Sequence, residues 1–144
     1  MIVVSDTSPL NYLVLIDLQH ILPDLFERIL IPAAVRDELQ SAGAPDAIAR
    51  FMAAAPAWLE TREVSEVDPK LQHLDRGERE VITLAASLSA GSVLIDEKKG
   101  RLVARARLGG GWDAGRARPC RTSGIGELVG SLAASGRNHV SRIA

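Results

Sequence analysis

Four acidic residues lie at positions where their side chains could share one cation. Asp6 and Asp96 each follow a short apolar run, Glu38 lies in the first helix predicted after another such run, and Glu78 lies in the first turn of a later helix. Short apolar runs bounded by polar residues are typical of buried strands. In a parallel sheet, strand ends and the starts of the following helices share one edge, so the four carboxylates could meet there.

A group of carboxylates within reach of one another points to divalent-metal chemistry. Such groups repel, and a bound divalent cation is the usual remedy. Oxygen-only ligands suit Mg²⁺ or Mn²⁺. Two such ions about 4 Å apart can activate a water and stabilise the leaving oxygen in phosphodiester cleavage. This chemistry requires no cysteine, histidine or glycine-rich phosphate loop, in agreement with a chain that has few recognisable motifs.

Each of these acids also has an interpretation without any function. Asp6 could stabilise a turn, and Glu78 could be the reciprocal partner of Asp75 in a helix capping box. Glu38 could lie on a solvated helix face, and Asp96 could be a helix N-cap. The residue types and their spacing leave these alternatives open.

The elements that must position the acids alternate between strand and helix. Apolar patterning predicts strands over residues 1–4, 29–31, 58–64 (an edge strand) and 92–95, and helices over 10–26 with an interruption at Pro23, 33–40, 47–55, 75–88 and 98–107. Such alternation is typical of an α/β fold with a parallel sheet covered on both faces.

Length and composition predict one globular domain. The 144 residues are 47% apolar and 24% charged, which is ordinary for a soluble domain. Asp17 interrupts the apolar run that precedes it, so we expect neither a signal peptide nor a membrane span. We therefore expect a cytoplasmic protein without a membrane partner. The single cysteine, Cys120, excludes an intrachain disulfide and a cysteine-based zinc site.

Charge is distributed unevenly along the chain. The net charge is −1, so no overall basic field indicates nucleic-acid binding. Residues 1–106 carry 16 acids and 11 Lys or Arg, whereas residues 107–144 carry two acids and six Arg. A polyanion would therefore bind either through a metal that offsets the acids or through locally concentrated positive charge.

Four segments together resemble one known family. They are residues 3–10 (VVSDTSPL), 31–39 (IPAAVRDEL), 74–85 (LDRGEREVITLA) and 94–96 (LID), with 18 residues from Glu78 to Asp96. In order and spacing they resemble the PIN-domain superfamily of metal-dependent nucleases, over residues 1–107. Within it they resemble the prokaryotic subgroup of predicted nucleic-acid-binding proteins, close to the endonuclease toxins of toxin–antitoxin pairs.

The resemblance implies a fold, a site and a function. The fold would be a three-layer α/β/α sandwich around a mainly parallel sheet. Asp6, Glu38, Glu78 and Asp96 would be the catalytic acids and the ligands of Mg²⁺ or Mn²⁺, with Glu78 at a position where many relatives have Asp. The substrate would be RNA. A homodimer, an antitoxin protein as partner and a toxin role are further implications.

Residues next to the acids have two interpretations each. Thr7 and Ser8 could hold Asp6 or a metal-bound water by hydrogen bonding, or Ser8 could be an ordinary helix cap. A basic run after Asp96 could contact substrate phosphates or could be a solvated helix face. That run contains Lys98, Lys99, Arg101 and Arg105.

The resemblance ends after Arg107. Residues 108–144 form an atypical Gly/Arg-rich tail that holds eight of the 12 glycines, where relatives have a last strand and an apolar helix. Such a composition buries little apolar surface. One hypothesis is that this tail is translated out of frame, because advancing the frame by one base permits Ala-Gly-Thr-Leu-Gly-Val-Leu-Gly over residues 111–118. The alternative is a naturally divergent tail with a last short helix that contains Ile125, Leu128, Val129 and Leu132.

Two other functions remain open at this point. A phosphohydrolase could use Asp6 as a covalent nucleophile, although no second Asp lies two residues further on. A degenerate module could bind RNA or a protein without catalysis. The leading hypothesis is a divalent-metal-dependent ribonuclease.

Overall fold

Strands and helices alternate along the chain in the computed structural model, which describes residues 2–108, 121–124, 126–127 and 130. The strands are β1 (Ile2–Ser5), β2 (Arg28–Pro32), β3 (Leu59–Arg62), β4 (Ser92–Leu94) and β5 (Arg121–Ser123). The helices are α1 (Thr7–Leu15), α2 (Ile21–Leu25), α3 (Ala33–Leu39), α4 (Asp46–Ala53), α5 (Arg76–Ser87) and α6 (Lys98–Leu108), with a 3₁₀ turn at Pro69–Leu71.

The five strands form one parallel sheet in the order β3-β2-β1-β4-β5. The chain moves outwards from β1 through β2 to β3, then continues on the other side of β1 with β4 and β5. Right-handed crossovers therefore put α1 to α4 on one face and α5 and α6 on the other. The predicted three-layer α/β/α sandwich with a parallel sheet is confirmed.

The central strands are buried on both faces. In β1 and β2 the consecutive residues Val3, Val4, Ile29, Leu30 and Ile31 are all buried. Strands covered by helices on both sides require apolar side chains in both directions, so they read as continuous apolar runs without polar alternation. The apolar runs that identified the strands in the sequence follow from this layering.

The first helical region differs from the prediction. The sequence predicts an interruption at Pro23, but the chain breaks between α1 and α2, where Asp17 has a positive φ of 58°. Pro23 is the third residue of α2. The first four N–H groups of a helix have no partner inside it, so proline is tolerated there and does not end the helix.

The edge strands include one confirmed and one unpredicted element. Strand β3 lies at the sheet edge, as predicted for residues 58–64. Strand β5 in the tail is not among the predicted elements, and it pairs in parallel with β4. The residues predicted to form a last helix, Ile125, Leu128, Val129 and Leu132, lie outside the described residues.

Among the described residues, every helix is too short or too polar to cross a membrane.

Candidate metal centre

The carboxyl ends of β1 and β4 form the base of the candidate site. The chain order reverses between these two neighbouring strands, and ligands of open α/β sheets bind at such a switch point. The backbone N–H of Asp6 donates to the carbonyl of Leu94 at 2.9 Å, so the two strand ends are joined directly. Asp6 is only 7% exposed, and Asp96 follows β4 by two residues in a half-buried position.

Glu38 reaches this crevice from α3, which begins directly after β2. The Thr7 hydroxyl donates to Glu38 Oε2 at 2.5 Å. The Thr7 side chain therefore holds Glu38, while the Thr7 backbone hydrogen-bonds Asp6, the residue that the sequence suggested as its partner. Asp6 occupies the N-cap position of α1 without a side-chain cap hydrogen bond, and Ser8 is an exposed residue within the helix, so Ser8 is not its N-cap.

Three carboxylates converge on Gly77 in the first turn of α5. A β-carbon placed on Gly77 would lie 3.1 Å from Asp6 Oδ1, 3.2 Å from Glu38 Oε1 and 3.5 Å from Asp75 Oδ1. The three acids come from the end of β1, from α3 and from the start of α5. They can approach one point because glycine leaves that point free of a side chain.

Glu78 is both a helix cap and a buried carboxylate without a full set of partners. Its backbone N–H donates to Asp75 Oδ1 at 2.8 Å, and the Asp75 N–H donates to Glu78 Oε2 at 3.3 Å, so the capping box forms. The other oxygen, Oε1, is buried without a hydrogen-bond partner, and the residue is 2% exposed. A β-carbon on Gly100 would lie 2.5 Å from this oxygen. Capping thus accounts for only one of the two carboxylate oxygens.

Asp75 and Glu97 extend the acidic group beyond the predicted residues. One carboxylate oxygen from each of Asp75, Glu78 and Glu97 lies within 4.8 Å of the others. At an effective dielectric constant of about 20, two unit charges 4.8 Å apart repel by about 3.5 kcal/mol before screening by salt. That repulsion exceeds the roughly 1 kcal/mol contributed by an ordinary hydrogen bond, so the cluster does not stabilise itself when fully ionised.

Sequence reasoning assigned Asp75 and Glu97 no site role. The capping box accounts for Asp75, and Glu97 lies just outside the segments on which the family resemblance depends. The signal that could have found them is proximity: Asp75 precedes Glu78 by three residues, and Glu97 is adjacent to Asp96. Both positions lie where a strand end or helix start already faces the crevice.

Burial and like charges shift two of the carboxyl groups. Burial, together with the nearby carboxylates of Asp75, Glu38 and Glu97, raises the pKa of Asp6 from 3.8 to about 6, against a hydrogen bond from the Thr7 backbone that lowers it. Burial likewise raises the pKa of Glu78 from 4.5 to about 7, with contributions from Asp75, Glu97 and Asp6.

The basic residues after Asp96 make contacts within the chain. Arg101 Nη1 donates to the Asp96 carbonyl at 2.6 Å and lies 3.9 Å from Asp96 Oδ1. A β-carbon on Gly124, next to β5, would lie 2.5 Å from Arg101 Nη1 and 3.4 Å from Asp96 Oδ1. The sequence suggested Arg101 as a phosphate contact, and here its guanidinium neighbours a predicted metal ligand.

The other three predicted phosphate contacts are exposed along α6. Lys99 Nζ donates to the His73 carbonyl at 2.8 Å, and Arg105 Nη2 lies 3.5 Å from Glu127 Oε1. Lys98 follows directly after Glu97. All three remain at the surface, where a phosphate could reach them.

The donor set fits a hard divalent cation such as Mg²⁺ or Mn²⁺. Every group in the cluster is a carboxylate, and these ions prefer oxygen ligands. Glu78 Oε1 has no hydrogen-bond donor in its buried position, which is the condition that a cation would relieve. Burial and neighbouring carboxylates raise the pKa values of Asp6 and Glu78, and a cation nearby would lower both.

The fold and this site define a class of protein: an α/β sandwich with an acidic centre at the switch point of a parallel sheet. A family model described as DUF3368, a PIN domain, matches residues 2–108, so the chain belongs to the PIN-domain family. PIN domains are typically nucleases and generally use divalent metals.

A solved structure gives the same fold. The chain resembles a PilT N-terminus domain protein from the hyperthermophilic archaeon Sulfolobus solfataricus P2, with a TM-score of 0.59 and 18% identity over 91% of this chain and 92% of that one. No curated protein matches the chain in sequence. The fold likeness and the family match thus agree on the PIN assignment.

Proposed function

We propose that this protein is a Mg²⁺- or Mn²⁺-dependent endoribonuclease that hydrolyses phosphodiester bonds. Asp6, Glu38, Glu78 and Asp96 are the proposed metal ligands and catalytic acids. The observation that supports this most directly is the buried Glu78 Oε1, which lacks a hydrogen-bond partner beside a group of converging carboxylates. Membership of the PIN-domain family adds the expectation of nuclease chemistry.

The chain's own residues prepare the site for a cation. Thr7 orients the Glu38 carboxylate by its hydrogen bond, and Gly77 lets Asp6 and Glu38 approach one point. Asp6 and Glu78 must lose their protons before they can bind a metal. A bound Mg²⁺ or Mn²⁺ supplies Lewis-acid polarisation of the scissile phosphate and lowers the pKa of the attacking water. Because the pKa values of Asp6 and Glu78 are about 6 and about 7, metal binding should strengthen as the pH rises through that range.

The basic side of α6 is proposed to contact the substrate. Lys98, Lys99 and Arg105 are exposed on the helix that begins next to the acidic centre, and Arg101 lies beside Asp96. Phosphate contacts of this kind position a nucleic acid without reading its sequence and weaken with salt. Lys98→Ala is therefore expected to weaken RNA binding and to reduce its salt dependence, which fluorescence anisotropy would measure.

Cleavage of a labelled RNA, with and without chelator, tests the proposed activity. We expect wild-type cleavage in Mn²⁺ or Mg²⁺ and none in EDTA. Asp6→Asn and Asp96→Asn should each lower the rate by more than about 100-fold, because they remove metal ligands and not merely their supports. Asp17→Asn, at an exposed position outside the centre, is the matched control and should retain full activity. A DNA strand of the same sequence distinguishes ribonuclease from general nuclease activity.

The same assays separate the alternative functions. RNA binding without cleavage, unchanged by chelator, would support a non-catalytic binding module in place of a nuclease. Trapping of an aspartyl-phosphate mimic on Asp6 would support a phosphohydrolase, although carboxylates surround Asp6 and oppose the extra negative charge of a phosphoryl group. Cleavage that survives Asp6→Asn would contradict the proposed metal centre.

A toxin role, an antitoxin partner and homodimer formation remain predictions from the family resemblance, and a cytoplasmic location remains a prediction from the sequence. Growth arrest on induced expression, lost in Asp6→Asn, would support a toxin. Size-exclusion chromatography with light scattering would measure the oligomeric state.

The proposed boundary at residue 107 and the out-of-frame origin of the tail are also predictions. The family match ends at residue 108, while β5 lies in the tail and pairs with β4. Sequencing of the coding DNA decides the question, since codons that cannot give the shifted segment would exclude a frameshift.

A further inference from the structure

Glu80 is a buried carboxylate outside the acidic centre. It lies on α5 two residues after Glu78 and is 7% exposed. Residues two apart on a helix point to different sides, and Glu80 contacts α3, whereas Glu78 contacts the start of α6. We propose that Glu80 is a positioning residue that fixes Glu38 in the metal centre by holding α3, an inference that rests on the proposed function.

The first contact of Glu80 is with the start of α3. Glu80 Oε2 accepts a hydrogen bond from the backbone N–H of Ala34 at 2.9 Å. The N-cap of α3 is Pro32, which gives no side-chain cap hydrogen bond. A buried N–H in the first turn of a helix needs an acceptor from elsewhere. Glu80 supplies it from a different helix, and it thereby ties the start of α3 to α5.

The second contact reaches the other end of α3 through Arg76. Arg76 Nε lies 3.4 Å from Glu80 Oε1, and Arg76 Nη1 lies 3.6 Å from Asp37 Oδ2. Asp37 is adjacent to Glu38, whose carboxylate accepts the Thr7 hydrogen bond. Glu80 thus contacts the start of α3 directly and reaches the later part of that helix through the exposed side chain of Arg76.

This arrangement links Glu80, which lies outside the centre, to the position of Glu38 relative to Asp6. Glu38 Oε1 lies 3.2 Å from the β-carbon position of Gly77, and Asp6 Oδ1 lies 3.1 Å from it. A shift of α3 away from α5 would move Glu38 out of this contact. Loss of groups that orient metal ligands typically weakens metal binding by about 10- to 100-fold.

Calorimetric titration of the full chain with Mn²⁺ tests the inference without requiring catalysis. Glu80→Ala should weaken Mn²⁺ binding by about 10-fold. Glu80→Gln, which keeps an oxygen to accept the Ala34 hydrogen bond, should restore binding to within about threefold of the wild type. Ile21→Val removes a buried methyl group from α2, which contributes no residue to the centre, and it should leave Mn²⁺ affinity unchanged.

A double-mutant cycle with Glu38→Gln identifies the route of the effect. If Glu80 acts through Glu38, adding Glu80→Ala to Glu38→Gln should change Mn²⁺ affinity by less than about twofold, since coupled residues are not additive. An undiminished loss in that background would overturn the proposed route. If Glu80→Ala does not fold, Glu80→Asp replaces it, because the shorter side chain keeps the charge but withdraws the acceptor from Ala34.

Failure of the inference and failure of the proposed function give different results. Wild-type protein that binds Mn²⁺, with Glu80→Ala binding equally well, overturns the positioning role alone. Wild-type protein that binds no Mn²⁺ overturns the metal centre and, with it, the role of Glu80. Weak binding in Glu80→Ala and recovery in Glu80→Gln support the inference, because a general loss of packing would also appear in Ile21→Val.

Discussion

Removing the charge of Asp6 should stabilise the metal-free protein. Burial and three neighbouring carboxylates raise the pKa of Asp6 from 3.8 to about 6. Each pKa unit corresponds to about 1.4 kcal/mol, so ionisation of Asp6 destabilises the folded chain by about 3 kcal/mol relative to the unfolded chain. An asparagine side chain at this position would be neutral at every pH and would keep an oxygen acceptor for the Thr7 backbone. We expect Asp6→Asn to raise the free energy of unfolding by about 2 to 3 kcal/mol at pH 8 in EDTA.

The gain should disappear at low pH. The pKa of Asp6 is higher in the folded than in the unfolded chain, so between about pH 4 and pH 6 the folded chain holds a proton that the unfolded chain has released. The free energy of unfolding of the wild type therefore falls as the pH rises through this window. At pH 4 the folded wild type is already protonated at Asp6, and Asp6→Asn should equal it.

Urea unfolding followed by circular dichroism measures these differences. Asp17→Asn is the matched control, because Asp17 is exposed and its positive φ of 58° suits asparagine, and it should change stability by less than about 0.5 kcal/mol. Mn²⁺ at 100 times its Kd adds about 2.7 kcal/mol to the wild type and should remove the difference, and Mn²⁺ at 1,000 times its Kd adds about 4.1 kcal/mol and should reverse the order. Equal or lower stability of Asp6→Asn at pH 8 in EDTA would refute the argument that Asp6 is held at a cost.

Three further substitutions probe the packing around the centre. Gly100→Ala places a β-carbon 2.5 Å from Glu78 Oε1. The gain in helix propensity and the added steric strain are each about 1 kcal/mol, so the free energy of unfolding measured in urea should change little. The Mn²⁺ affinity measured by calorimetry should fall, because the new methyl group displaces the Glu78 carboxylate. Thr7→Val removes the hydroxyl that holds Glu38 and should weaken Mn²⁺ binding several-fold with about 1 kcal/mol of lost stability. Asp75→Asn keeps the helix cap but removes a charge that raises the pKa of Glu78, so carboxyl ¹³C titration should show that pKa falling from about 7.

The sequence predicted the structure best where a residue pattern has a single structural cause. Continuous apolar runs identified the strands because both faces of a parallel sheet are covered. A carboxylate directly after two such runs placed Asp6 and Asp96 at one edge, since parallel strands end together. The capping box of Asp75 and Glu78 could be read from spacing alone, because it depends on residues three apart in one helix.

The remaining features depend on contacts between distant parts of the chain. The partner of Thr7 is Glu38, 31 residues away, and the partner of Glu80 is the backbone of Ala34, 46 residues away. Neither pairing leaves a periodic signal. Positive charge on a helix predicts a phosphate contact for Arg101, and the structure adds that its guanidinium lies beside Asp96. Local sequence can indicate the charge of such a residue but not which group it faces.

Three features of the centre lower the stability of the metal-free chain. Gly77 and Gly100 lie in helices, where glycine is less favourable than alanine by about 0.5 to 1 kcal/mol each, and a side chain at either would press against a carboxylate. Glu78 keeps one buried oxygen without a donor, and ionised Asp6 is disfavoured by its neighbours. Without a ligand, helix propensity would favour replacing the two glycines, and burial would favour neutral side chains in place of Glu78 and Asp6. A divalent cation is the ligand that would offset all three at once, because it attracts the crowded oxygens, supplies the missing partner and favours the charged form of Asp6.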